Sequence, residues 1–198
     1  MATDNLISAL LNTGVIIAII PVLGIIVDLV QKTITKGIAG ILGGKAANVI
    51  VNKVTFIGVI HHELSHALMA LVTGAKITEA NLFKPDKNSG TLGNVKYVPR
   101  GNKLVQSIQM TFSSVAPVPC GIISSMLIVK YAISKCEIYW QYIIVIYLLV
   151  SIILHMNLSK QDIKVALKGS PVLCIAVFII VLLTKFDSIN FLKGILNA

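Results

Sequence analysis

Charge is the first thing this sequence lacks. Only 13% of its 198 residues are Asp, Glu, Lys or Arg, and 56% are hydrophobic, whereas a soluble domain carries roughly 25% charged residues. With a mean hydropathy of +0.87, that shortage excludes an ordinary soluble fold and points to an all-α polytopic protein in a lipid bilayer. Cysteine is scarce as well. Cys120, Cys136 and Cys174 are odd in number and widely spaced, which argues against a disulfide framework and against a thiolate zinc site. The formal charge is +9, but the lysines lie between apolar runs without interleaved exposed aromatics, so nucleic acid is not the expected partner. No basic segment precedes the first apolar run, and that run is longer than a signal-peptide core, so it is expected to stay as a membrane helix.

About five spans are expected, over 6–28, 54–73, 104–131, 138–156 and 171–186. Pro21 should kink the first, and Asp28 should end it at the interface. Between the first two, Gly37, Gly40, Gly43 and Gly44 should interrupt any helix, leaving an interfacial or re-entrant connector. It lacks a Gly-Lys-Ser/Thr ending and so is no phosphate loop. The only sizeable polar stretch, 75–103, should form a small β-hairpin with a turn at Ser89-Gly90 and a strand from Thr91 to Val98. Ala116-Pro117-Val118-Pro119 should break the third span, and the carbonyls freed by the prolines must face protein or a cavity. Small residues around that break suit packing against the second span. Tyr139, Trp140 and Tyr142 form an aromatic belt at the start of the fourth. The tail, 189–196, reads as a brief amphipathic end.

Histidine and acidic residues are scarce too, yet residues 61–66 hold three of the four histidines and one of the three glutamates. Such a cluster inside an apolar helix costs several kcal/mol unless something pairs with it or coordinates it. In His62-Glu63-Leu64-Ser65-His66 the histidines are four apart, one helical turn, and can grip a single metal ion. Glu63 is turned about 100° away, where it suits a general base acting on water activated by zinc. His61 points elsewhere and is expected to be structural. By helical rise, His62 lies about 12 Å and His66 about 18 Å into the span.

A catalytic zinc needs a third protein ligand. Val72 stands where a metzincin would have its third histidine, which excludes that class. The candidates are Glu79, Asp86, His155 and Asp162. If spans two, three and four each cross once, the end of the histidine helix and the segment after Met156 share a side, which makes Asp162 and His155 reachable. Asp162 has a competing reading, because Ser159-x-x-Asp162 is a capping box for a short helix that Gly169 would end.

An apolar helix reading His-Glu-x-x-His-Ala-Leu, a capping glycine, a hairpin and a late Asn-to-Asp segment together resemble the site-2 protease family of intramembrane zinc metalloproteases. The resemblance covers about half the chain. It implies His62 and His66 as zinc ligands, Glu63 as the base, Asp162 as the third ligand and Asn157 as a residue that positions substrate. The second motif departs from the family pattern, with no proline before Asp162 and Ile163 where glycine is expected. An exposed strand, Leu92 to Val98, offers Leu92 and Val95 for pairing with an extended peptide, and the resemblance implies the same use.

The expected function is therefore intramembrane proteolysis with Zn2+ as cofactor, on a membrane-protein segment as substrate, in a multi-pass protein of a prokaryotic cell membrane. A non-proteolytic protein using the site for structural or transported metal is one rival, and a metal-free membrane adaptor is another. Lysine and arginine, nine on the exit side of the histidine helix and eight on the other, leave orientation undecided by the positive-inside rule; the resemblance implies that the exit side is cytoplasmic. The oligomeric state is open.

Overall fold

The helix that begins at Ala2 does not stop where the glycines begin. In the computed structural model, which describes residues 2–83 and 92–196, α1 runs from Ala2 to Leu42 through Pro21, Gly37 and Gly40. The expected connector is thus largely helical. A lone glycine costs about 1 kcal/mol relative to alanine but does not end a helix among good helix formers. The interruption comes at Gly43, whose φ of +83° suits only glycine. A short helix α2 (Gly44–Val49) and a π turn (Ile50–Val54) follow. They meet α3 (Phe56–Val72) at a 49° bend.

Gly74, at φ +86°, ends α3 as expected. Its N–H donates to Leu71 O, and Ala75 N–H donates to Ala70 O, the paired bonds of a Schellman cap. The chain then enters β1 (Lys76–Asn81), antiparallel to β2 (Asn94–Val98), with a bulge between Ile77 and Glu79. The strand starts at Asn94, so Leu92 precedes it; Asp86, the Ser89-Gly90 turn and Thr91 lie outside the described residues.

The third apolar stretch breaks at Ala116 into α4 (Lys103–Val115) and α5 (Pro117–Leu127). Of the two, α4 is polar on its buried side, with Ser107, Gln109, Thr111, Ser113 and Ser114 all enclosed. After α6 (Tyr139–His155), α7 extends unbroken from Lys160 to Thr184. That overturns the expected stop at Gly169 and the separate span from Pro171. A Cβ at Gly169 would lie 2.2 Å from Thr111 Oγ1 and 2.5 Å from Ser107 O, so this glycine is spent on close contact with α4. Pro171 cannot donate to Leu167 O, and the Ser170 hydroxyl supplies that bond instead, at 3.1 Å. The last helix, α8 (Ser188–Leu196), is tied to α1 by the Ser188 N–H and hydroxyl, both donating to Asn12 Oδ1.

Among the described residues, three stretches are long and apolar enough to cross a membrane, Asn5–Leu42, Pro117–Lys135 and Lys160–Thr184, and the bent pair Gly44–Val54 plus Phe56–Val72 makes up to four. At 17 residues, α6 is apolar but shorter. Only 12%, 17% and 11% of residues in the apolar windows of the three are buried, so their outward faces are bare hydrocarbon.

Contacts fix the helix directions. Tyr147 OH reaches Val54 O, Gly58 packs on Ser151, and His62 meets His155 O, so α6 runs parallel to α3. Gln109 meets Thr73 O and Ser113 O meets His66, so α4 runs antiparallel to it. As a result, the C-terminal ends of α4 and α6 and the N-terminal end of α7 converge on the middle of α3.

Candidate metal centre

Helical spacing puts His62 and His66 on the same side of α3, and tertiary contacts then orient both rings. His62 Nδ1 lies 2.7 Å from His155 O, and His66 Nδ1 lies 2.6 Å from Ser113 O. A carbonyl only accepts, so both rings carry their proton on Nδ1 and present the Nε2 lone pair. The two Nε2 atoms face each other at 3.0 Å, with the rings edge to face. Two lone pairs at that separation repel unless a cation or a shared proton lies between them.

The third group is Asp162. Its Oδ1 stands 3.4 Å from His66 Nε2, and its Oδ2 stands 3.9 Å from His62 Nε2. Ligand atoms of His62, His66 and Asp162 all lie within 4.8 Å of one another, making this the one such three-residue group among the described residues. A tetrahedral zinc with bonds near 2.0–2.1 Å needs ligand atoms about 3.3 Å apart; the 3.0 Å and 3.4 Å separations are near that spacing and the 3.9 Å one exceeds it, so the three groups could hold a metal ion.

Asp162 was expected to be either a ligand or a helix cap. The geometry allows both at once: Ser159 N–H donates to Oδ2 at 2.8 Å, and Asp162 N–H donates to Ser159 Oγ at 3.1 Å. The reciprocal cap engages one carboxylate oxygen and leaves Oδ1 turned toward His66.

Of the other candidates, Asp86 lies outside the described residues, and Glu79 and His155 stand outside this group. Glu79 lies on the hairpin, held by Asn81 Nδ2 and Lys96 Nζ at 2.6 Å each. His155 contributes its backbone carbonyl to His62 while its own Nδ1 bonds Ser151 O. Its imidazole is outside the metal group. His61 bonds Ser124 Oγ on α5 at 2.9 Å, consistent with a structural part. Asp28 pairs with Lys32, and all three cysteines are free thiols.

Glu63 is buried beside this group and lines the same cleft, of about 1030 Å³. The hairpin closes over it. Its carboxylate accepts a hydrogen bond from the Val95 backbone N–H, and a Cβ on Gly93 would come within 2.6 Å of Glu63 Cγ. Leu92, Val95 and Asn157, the expected substrate contacts, all border this cleft. Tyr97 borders it too, near Met110 O and Ser114, and burial pushes its phenol above the usual range, keeping it a neutral donor.

Sequence reasoning missed the backbone acceptors Ser113 O and His155 O, the role of Gly93, and Tyr97. Only the prolines after Ser113 carried any signal of them. No protein-family model, curated protein or solved structure matches this chain.

Proposed function

We propose that the chain is a membrane-embedded zinc metalloprotease of the site-2 protease kind, cleaving a peptide bond in or near a substrate's membrane segment. The observation that carries this reading is the meeting of His62, His66 and Asp162 beside buried Glu63 in a cleft bordered by a β-strand. Helices whose outer faces are apolar, α1 and α7 above all, support a lipid surrounding.

His62 Nε2, His66 Nε2 and Asp162 Oδ1 would hold the ion. Bound there, zinc acidifies water and polarises a carbonyl. Glu63 takes the proton from the attacking water and hands it to the amide nitrogen as the C–N bond breaks. The strand β2 offers backbone groups to an extended peptide, and Asn157 and Tyr97 offer polar contacts at the rim. Residues of the hairpin and of α7 both line the cleft that holds the carboxylate.

One observation favours a second reading, a metal site without proteolysis. Glu63 already has a structural task, because it receives Val95 N–H and seats Gly93. Glu63→Gln separates the two. A side-chain amide keeps the carbonyl acceptor for Val95 but cannot take a proton. The protease reading expects stoichiometric zinc in both proteins and cleavage of a single-pass reporter substrate only by the wild type. Cleavage at the wild-type rate by the variant overturns it.

A further inference from the structure

The His66 ring is oriented by a carbonyl that should not be free. Ser113 sits within α4, where its C=O would ordinarily accept from the N–H four residues on. That residue is Pro117, which has no N–H. The orphaned oxygen is buried with Ser113 and points at His66 Nδ1, 2.6 Å away. A buried carbonyl left without a partner costs about 1–3 kcal/mol, so the helix break and the histidine satisfy each other. Helix α5 begins immediately after the break, with Pro117 as its first residue and Cys120 N–H returning to Ala116 O. The interruption is therefore one residue long and leaves Ser113 O as the carbonyl aimed at the cluster.

We infer that Pro117 is a positioning residue for the metal centre: by withholding its backbone N–H it reserves Ser113 O for His66 Nδ1–H, which fixes the tautomer that presents Nε2 to the ion. This rests on the metal-site reading and extends it to a residue that touches no ligand. It also separates the two prolines of the break. Pro119 withholds its N–H from Val115 O, two residues and about 200° round the helix from Ser113 O, and is not expected to bear on His66.

The test uses the full-length protein in detergent micelles. Pro117→Ala restores an N–H that competes for Ser113 O. Two quantities are read: the His66 tautomer, from side-chain ¹⁵N shifts in metal-free protein, and zinc affinity by competition with a chromophoric chelator. Pro117→Ala should lose the uniform Nδ1–H tautomer and bind zinc about 10–100-fold more weakly, the usual effect of removing such an outer partner. Pro119→Ala should match the wild type in both. Replacing Pro117 with lactic acid, which removes the N–H without the ring, should restore both and shows that neither effect comes from misfolding. An unchanged His66 tautomer in Pro117→Ala overturns the inference, as does an equal loss in Pro119→Ala. Because the tautomer is read without metal, a wild type that binds no zinc refutes the metal-site reading and leaves this inference to be decided by the ¹⁵N shifts.

Discussion

Gly58→Ala offers the sharpest test of how the site is held. Gly58 lies one turn before His62 on α3, where α6 packs against it, and a Cβ there would fall 1.9 Å from Ser151 O and 2.6 Å from His155 Nδ1. Ordinary contact begins at 3.4 Å, so the two backbones must part by about 1.5 Å, since neither obstructing atom of Ser151 is at the end of a flexible side chain. That movement carries His155 O with it. The bond from His62 Nδ1 now measures 2.7 Å, and a shift of that size takes it to about 4 Å, beyond hydrogen-bonding range. Overpacking of this kind costs about 1–3 kcal/mol of stability, and releasing a ligand's outer partner costs about 10–100-fold in metal affinity. Chelator competition measures the second effect and thermal unfolding of the metal-free protein the first. If Gly58→Ala keeps both the wild-type zinc affinity and the wild-type melting temperature, the α3–α6 contact does not hold His62, and the account of the site is wrong.

Two further outcomes are expected. Ser159→Ala should cost about 1 kcal/mol as a lost helix cap and should also weaken zinc binding, because Asp162 Oδ2 is then held by a frayed helix end; Ser159→Thr should restore both, and Asp162→Ala should remove zinc outright. A cap loss with zinc affinity unchanged would separate the two roles given to Asp162. Gly93→Ala should lift the hairpin off Glu63, since its Cβ would meet Glu63 Cγ at 2.6 Å and Leu82 O at 2.9 Å. Faster amide hydrogen exchange in 94–98, with zinc affinity preserved, is the expected signature, and unchanged exchange would count against the seating of Gly93 on Glu63.

Much of this was legible before any fold was known, because some signals are local. The four-residue spacing of His62 and His66 places both on one side of any helix, and the run of apolar residues on either side dictates that helix. Gly74 announced its end, Ser159-x-x-Asp162 announced the start of α7, and Ala116-Pro117 announced the break. Each depends only on helical geometry within a few residues. The misreadings have two sources, one signal overruled from a distance and one outweighed by its own neighbours. Gly169 looks like a helix stop, but its missing side chain is used by the backbone of α4 at Ser107 and the Thr111 hydroxyl. Gly37 and Gly40 look like interruptions, but the segments around them hold the helix.

By itself, then, the sequence determined an apolar helical protein with two histidines and a glutamate poised on one helix. Tertiary structure alone decided that Asp162 reaches them, because α6 runs parallel to α3 and ends at His155, level with His62, so that α7 begins there. It also decided that one carboxylate serves as helix cap and faces the histidines at once, through different oxygens. The rings are aimed by carbonyls of Ser113 and His155, main-chain atoms that every residue possesses. Residue type marks only the first, through Pro117, which removes its helical partner; the second is set apart by its position opposite α3 alone.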